Sequence, residues 1–194
     1  MLIHEVMSTP AITVAPKTTV RAALRLLDAH GITAMPVVAP DGELVGVVSE
    51  ADLVRDAVHP DTRTQMVPIR ITEWAPARTV GDVMSTYALT VSSDADLADA
   101  VDLMTSTVVK SLPVVDKGKV VGVVSRKDVV HVLARRDDSI RAELDDLVRS
   151  DDVDWEVEVR DGVVQVTGPV DEHQRRVAEV LAGSVAGVVA VRIG

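Results

Sequence analysis

Part of this chain occurs twice, and that repetition constrains its fold more than any other feature. Val6-Met7-Ser8-Thr9 returns as Val83-Met84-Ser85-Thr86, an offset of 77 positions. Thr13-Val14 returns at the same offset as Thr90-Val91. The apolar set Val20, Ala23, Leu24, Leu27 returns as Leu97, Ala100, Val101, Met104, and Pro36-Val37-Val38 as Pro113-Val114-Val115. Beyond this point one residue is lost, where Pro40-Asp41-Gly42-Glu43 faces Lys117-Gly118-Lys119. Gly46-Val47-Val48-Ser49 then matches Gly122-Val123-Val124-Ser125, and Asp52 matches Asp128. A deletion confined to a turn is tolerated, so it supports the alignment.

Each copy reads as short strand, helix, strand, strand, helix. Apolar residues at i, i+3, i+4 and i+7 from Val20 predict an amphipathic helix over 18–30, capped by Thr18 and ended by Gly31. Met35–Ala39 and Leu44–Ser49 are short apolar runs around Asp41-Gly42, a hairpin turn. A second helix is expected from Glu50 to Val58. One such unit leaves much of its sheet bare, and two can cover each other, so the copies are expected to pack as a pair. His59–Thr64 reads as a loop, and Ile69–Trp74 as a short extended piece with Trp74 packing as a lid.

The tail has a different pattern. Ile140, Leu144 and Leu147 have helical spacing. Trp155, Val157 and Val159 alternate as a strand, Asp161-Gly162 turns, and Val164 and Val166 alternate back. Gly168-Pro169 breaks the chain, Val177, Val180 and Leu181 mark a helix, and Val189, Val191 and Ile193 a last strand. The predicted fold class is therefore α+β: two β-α-β-β-α repeats packed as a pair, then a small α-β-β-α-β module. The expected boundaries are 1–58, a linker at 59–79, 80–136 and 137–194.

Charge separates the same parts. The chain carries −10 overall. Residues 1–136 hold 14 Lys and Arg against 16 Asp and Glu, whereas residues 137–194 hold 6 against 14. So acidic a tail argues against nucleic acid and against association with anionic membranes. With no Phe, one Tyr and two Trp, a base-stacking platform for single strands is not expected either. No Cys is present, which excludes disulfides and thiolate chemistry and fits a reducing compartment. No basic region followed by a long apolar run opens the chain, so a secretory leader is not expected and a cytoplasmic location is the expectation.

The repeated pieces Val6-Met7-Ser8-Thr9, Thr13-Val14-Ala15-Pro16, Met35-Pro36-Val37-Val38 and Gly46-Val47-Val48-Ser49-Glu50-Ala51-Asp52, each with its second copy, resemble a tandem cystathionine-β-synthase (CBS) domain pair over about residues 1–136. The tail resembles a BON domain, on Arg160-Asp161-Gly162-Val163-Val164-Gln165-Val166-Thr167-Gly168-Pro169-Val170, Arg175-Arg176-Val177-Ala178 and Val185–Val191. The resemblance implies an adenosyl ligand in clefts between the repeats (AMP, ADP or ATP, with NAD or S-adenosylmethionine as alternatives) and a homodimer formed through the pair. BON domains are often proposed to attach to membranes; with this acidic tail, self-association or a protein partner is the better expectation.

The motif residues make chemical sense for such a ligand. Asp52 and Asp128 can accept hydrogen bonds from ribose hydroxyls. Ser49 and Ser125 stand where a strand becomes a helix, and the helix N-terminus offers N–H groups to an anion. Ser-x-x-Asp is also a helix cap, a role it can hold concurrently. By resemblance, Thr13, Met35 and Pro36 in the first repeat, and Thr90, Ser111, Leu112 and Pro113 in the second, line the base slot. Lys110, Arg126 and Lys127 stand in the second repeat where the first has Thr33, Glu50 and Ala51. The expectation is therefore that the Asp128 site takes a phosphorylated ligand better and the Asp52 site a less charged one.

No catalytic arrangement is legible. The five His are scattered without ligand spacing, phosphate-loop and nucleophile motifs are missing, and Asp94, Asp96, Asp99 and Asp102 read as an acidic first helical turn rather than a metal site. Two readings stay open. The chain is a nucleotide-binding regulatory protein whose ligand modulates an interaction of the tail, or it is an interaction protein in which the pair only dimerises and the tail docks a protein or membrane partner.

Overall fold

A computed structural model describes residues 1–55, 78–150, 155–168 and 171–194. The fold is α+β. Its elements are α1 (Val20–His30), β1 (Ala34–Val38), β2 (Leu44–Ser49), α2 (Glu50–Val54), α3 (Leu97–Ser106), β3 (Ser111–Asp116), β4 (Lys119–Ser125), α4 (Arg126–Leu133), α5 (Asp137–Ser150), β5 (Glu156–Arg160), β6 (Val163–Thr167), α6 (Glu172–Ser184) and β7 (Ala190–Ile193). The 59–64 loop, Ile69–Trp74 with its Trp74 lid, the end of the second helix at Val58, and Pro169 lie outside the described residues. The described residues divide into two compact units. One comprises Met7–Ser93 and Met104–Val124; the other comprises Met1–Val6, Asp94–Leu103 and Ser125–Gly194.

In the first of these units, local signals produce the expected elements with small corrections. The N-cap of α1 is Thr19, not Thr18: its hydroxyl accepts from Ala22 N–H at 3.2 Å, while the Thr18 hydroxyl accepts from Ala15 N–H. Gly31 takes the left-handed conformation that ends the helix, with φ +59. The leading strand of each repeat shrinks to one residue, Val14 bridging Val37 and Val91 bridging Val114, both in parallel. β1 and β2 form the expected antiparallel hairpin, with Met35 opposite Val48 and Pro36 opposite Val47. Ala23 and Leu27 of α1 close over Met35, Val37, Val48 and Leu53 in one buried cluster. Burying a Leu or Val side chain contributes about 1.5–3 kcal/mol each, so this face holds the helix to the hairpin.

The two repeats are stitched by exchanged backbone. Ser85, at the entry to the second repeat, pairs both ways with Val47 of β2, each N–H···O at 2.9 Å. Ser8, at the entry to the first, pairs both ways with Val123 of β4, at 2.9 and 3.1 Å. Gly46 makes the first crossing possible, because a Cβ there would stand 2.5 Å from the Ser85 carbonyl oxygen. Val80, fully buried in a 3-10 turn, donates to Thr18 O, while Val20 N–H donates to Arg78 O.

The second unit repeats that device and contains the tail. Ile3, also fully buried in a 3-10 turn, donates to Ala95 O, and Leu97 N–H donates to Met1 O. The tail is a three-stranded sheet with β6 central, antiparallel to β5 and parallel to β7. Ile140 and Leu144 of α5 and Ala178 and Ala182 of α6 cover Val157, Val164 and Val166. Asp137 accepts from the N–H groups of Asp161 and Gly162 at 2.7 and 2.9 Å and so holds the β5–β6 turn. α4 belongs to this unit as well. Arg135, just beyond it, donates to Ala186 O and to Glu143, both at 2.8 Å. Gly187 packs so closely that a Cβ would stand 3.0 Å from Val132 O. Among the described residues, no helix is long and apolar enough to cross a membrane.

Candidate ligand-binding site

Val47 and Val48 carry β2 inward, and the chain turns into α2 at Ser49. The Ser49 hydroxyl accepts from Asp52 N–H at 3.3 Å and donates to Asp52 Oδ2 at 2.6 Å; Ser49 N–H reaches the same oxygen at 2.9 Å. Ser125 and Asp128 form the same reciprocal cap on α4, at 3.4, 2.6 and 2.8 Å. Capping is thus a role that both motifs hold, each contributing about 1 kcal/mol. The cap occupies one carboxylate oxygen of Asp52, and among the described residues nothing donates to the other.

Above this turn lies a cavity of about 480 Å³, lined by both repeats. Its walls are largely apolar, with Met35, Pro36, Val47, Val48, Val109, Pro113 and Val123. Its polar groups are few: Thr33, Ser49, Glu50 and Asp52 from the first repeat, and Ser85, Tyr87, Lys110 and Ser111 from the second. This size and this balance of apolar wall with convergent polar groups are those of a small-molecule site. Tyr87 and Val108 are 85% and 94% exposed at its mouth.

Of the residues expected from sequence, the cavity brings together Met35, Pro36, Ser49, Asp52, Lys110, Ser111 and Pro113. Thr13, Thr90, Leu112, Ser125, Arg126 and Asp128 do not line it, and Leu112 is fully buried beneath the wall. Two further expectations change. Lys110, grouped with Asp128 on sequence, lines the same cavity as Asp52. The start of α2 does not present a row of open donors either. Ser49 N–H and Asp52 N–H are engaged in the cap, and Glu50 N–H donates to Thr33 O at 2.8 Å. Ser85 and Tyr87 are additions; they follow the repeated Val83-Met84, a place marked only by the repeat itself.

The titration of two carboxyls outside the cavity is shifted, that of the half-buried Asp116 and that of the exposed Asp82. Hydrogen bonds from Ser93, its hydroxyl first and then its N–H, hold Asp116 below the ordinary carboxylate value, with help from the Ser92 hydroxyl. The N–H and hydroxyl of Thr79, then the N–H of Arg78, do the same for Asp82. Both fix turns at the edge of the repeats. Among the described residues, no group of three or more His, Asp or Glu is placed to hold a metal ion.

Two stitched repeats enclose an apolar-walled cavity, a candidate ligand site. The CBS domain family matches residues 3–59 and 80–135, and the BON domain family residues 134–193. The chain belongs to the CBS-domain family, as a CBS pair followed by a BON domain. It is similar to the chloroplastic CBS domain-containing protein CBSX1 of Arabidopsis thaliana, 37% identical over 133 residues that cover 60% of this chain and 56% of that one. The chain therefore spans only about half of that relative. It is 31% identical over 154 residues to the uncharacterized protein MJ1426 of Methanocaldococcus jannaschii, covering 69% of this chain and 91% of that one. Among solved structures, CBSX2 in complex with AMP aligns at a TM-score of 0.54 and 31% identity over 67% of this chain and 93% of that one.

Proposed function

We propose that this chain is a non-catalytic sensor that binds an adenosyl nucleotide in the cavity closed by Asp52 and Lys110. The carrying observation is that one cavity brings together a largely apolar wall, a carboxylate with an uncommitted oxygen, that of Asp52, and the ammonium of Lys110. Asp52 takes the ribose hydroxyls, Met35, Pro36, Val48 and Pro113 the base, and Lys110 with Ser111 the phosphate. Thr13, Thr90 and Leu112 act behind the wall, through backbone and packing. Ser125, Arg126 and Asp128 are assigned to a second site on the other motif. The AMP complex of CBSX2 supports this ligand class.

Regulation follows from α4. It opens on Ser125-x-x-Asp128 and is packed in one unit with the BON module through Arg135 and Gly187. A ligand that favours one placement of Ser125–Asp128 therefore biases the BON module, in proportion to its different affinity for the two states. The proposed setting is a cytoplasmic homodimer whose BON module meets a protein partner, with domains at 1–58, 80–136 and 137–194.

Thermal unfolding with AMP, ADP, ATP, NAD and S-adenosylmethionine tests this. A ligand at about 100 times its Kd should stabilise the native state by about 2.7 kcal/mol. Asp52→Ala should abolish most of that shift. No shift with any of the five would sink the proposal in favour of a purely structural pair.

A further inference from the structure

The charged groups around the cavity are unequal. Among the described residues that line it, Lys110 is the only cation, and two acids, Glu50 and Asp52, line it as well. Both acids sit in the first turn of α2. Among the described residues no carboxylate pairs with Lys110, so it can compensate one anionic group of a ligand. On the α2 side the N–H groups of Ser49, Glu50 and Asp52 are already donated within the protein. A nucleoside with one phosphate can place that phosphate on Lys110 and its ribose on Asp52. Among the described lining residues, no second cation is there to take a further phosphate, and Glu50 adds a negative charge to the same cavity.

We infer that this cavity discriminates among adenosyl ligands by charge, favouring the monophosphate over the di- and triphosphate, and that Glu50 is the specificity residue that disfavours the longer polyphosphates. This rests on the reading of the cavity as an adenosyl site. Glu50 is exposed and makes no hydrogen bond with its carboxylate among the described residues, so its position in the first turn does not serve a cap; the cap belongs to Ser49 and Asp52. Its effect on a ligand is a Coulomb term, about 1 kcal/mol at ~4 Å in water and larger where protein excludes solvent. That corresponds to roughly a fivefold to tenfold change in affinity per unit of charge removed. Because it acts through solvent, it weakens as salt is raised towards the ionic strength at which the Debye length falls to a few ångströms.

The test is calorimetric titration of the full chain with adenosine, AMP, ADP and ATP, counting as this site only the binding that Asp52→Ala removes. The wild-type order should be AMP over ADP over ATP. Glu50→Gln should raise the ATP affinity relative to AMP by about fivefold, Glu50→Lys by roughly 25-fold, and high salt should narrow the wild-type preference. Lys110→Ala should bring AMP down to adenosine. Circular dichroism identifies any variant that fails to fold, and the wild-type salt dependence stands without variants. ATP binding tighter than AMP in the wild type, or an AMP-to-ATP ratio unchanged in both Glu50 variants, overturns the inference while leaving the adenosyl reading intact. No adenosyl ligand binding at the Asp52-dependent site overturns the reading beneath it.

Discussion

The crossing at Gly46 offers the sharpest test of how the repeats hold each other. Gly46→Ala places a Cβ 2.5 Å from the Ser85 carbonyl oxygen, 3.3 Å from its carbon and 3.4 Å from Met84 Sδ. The nearest atom is backbone, fixed by two 2.9 Å hydrogen bonds to Val47, so it cannot yield without losing them. Losing two such bonds costs about 0.5–1.5 kcal/mol each, and overpacking costs a further ~1–3. Reduced freedom of the unfolded chain returns roughly 0.4–1 kcal/mol. The net loss should be about 2–4 kcal/mol, which lowers Tm by roughly 5–15 °C for a chain of this size. Gly122→Ala is the matched control, since it occupies the equivalent place in the second repeat. There the 2.5 Å contact is with Met7 Sδ, and Ser8 O stands at 3.1 Å. A thioether can rotate away, so this change should cost less than about 1.5 kcal/mol. Urea denaturation of both variants gives the comparison. Equal losses, or a Gly46→Ala loss under about 1 kcal/mol, would refute the argument that fixed backbone at the crossing sets the cost. Ser85 also lines the cavity, so Gly46→Ala should weaken AMP binding in the fraction that remains folded.

Gly187→Ala tests the seam between α4 and the BON module. Its Cβ would meet Val132 O, Arg135 Cβ and Ile140 Cδ1 at 3.0–3.1 Å from a backbone φ of +91, so a loss of roughly 1–3 kcal/mol is expected, read by calorimetry; a neutral result would contradict the packing there. Asp116 and Asp82 predict an acid limb. Both carboxyls titrate below the ordinary 3.8 in the folded chain, so their stabilisation is complete above that value and is lost as pH falls through their folded pKa. Asp116→Asn should therefore be destabilised at pH 7, and its gap from wild type should close below about pH 3.8 in urea titrations; a constant gap would contradict the assignment.

Much of the fold was legible because its signals are local. The repeat spacing, the Asp41-Gly42 turn, the Gly31 stop and both Ser-x-x-Asp caps involve residues within a few positions of each other, where sequence and geometry are the same information. In the tail, the alternation of Val157, Val159, Val164 and Val166 and the turn at Asp161-Gly162 reported the β5–β6 hairpin for the same reason. The adjustment at Thr19 and the reduction of the first strands to Val14 and Val91 are differences of one or two residues, which periodicity does not resolve. The candidate site was half legible. Ser49, Asp52, Met35 and Pro36 carry motif patterns, but Ser85 and Tyr87 carry none beyond their place in the repeat.

Sequence alone determined that there are two like units and a third unlike one, which residues turn and face inward, and the two Ser-x-x-Asp caps. Only the tertiary structure decided which ends meet. It placed Lys110 on the cavity that Asp52 lines, set Gly46 against Ser85, and grouped α4 with the tail. These choices depend on contacts between residues far apart in the chain, where backbone pairing and buried surface select one arrangement among several that the same local propensities allow.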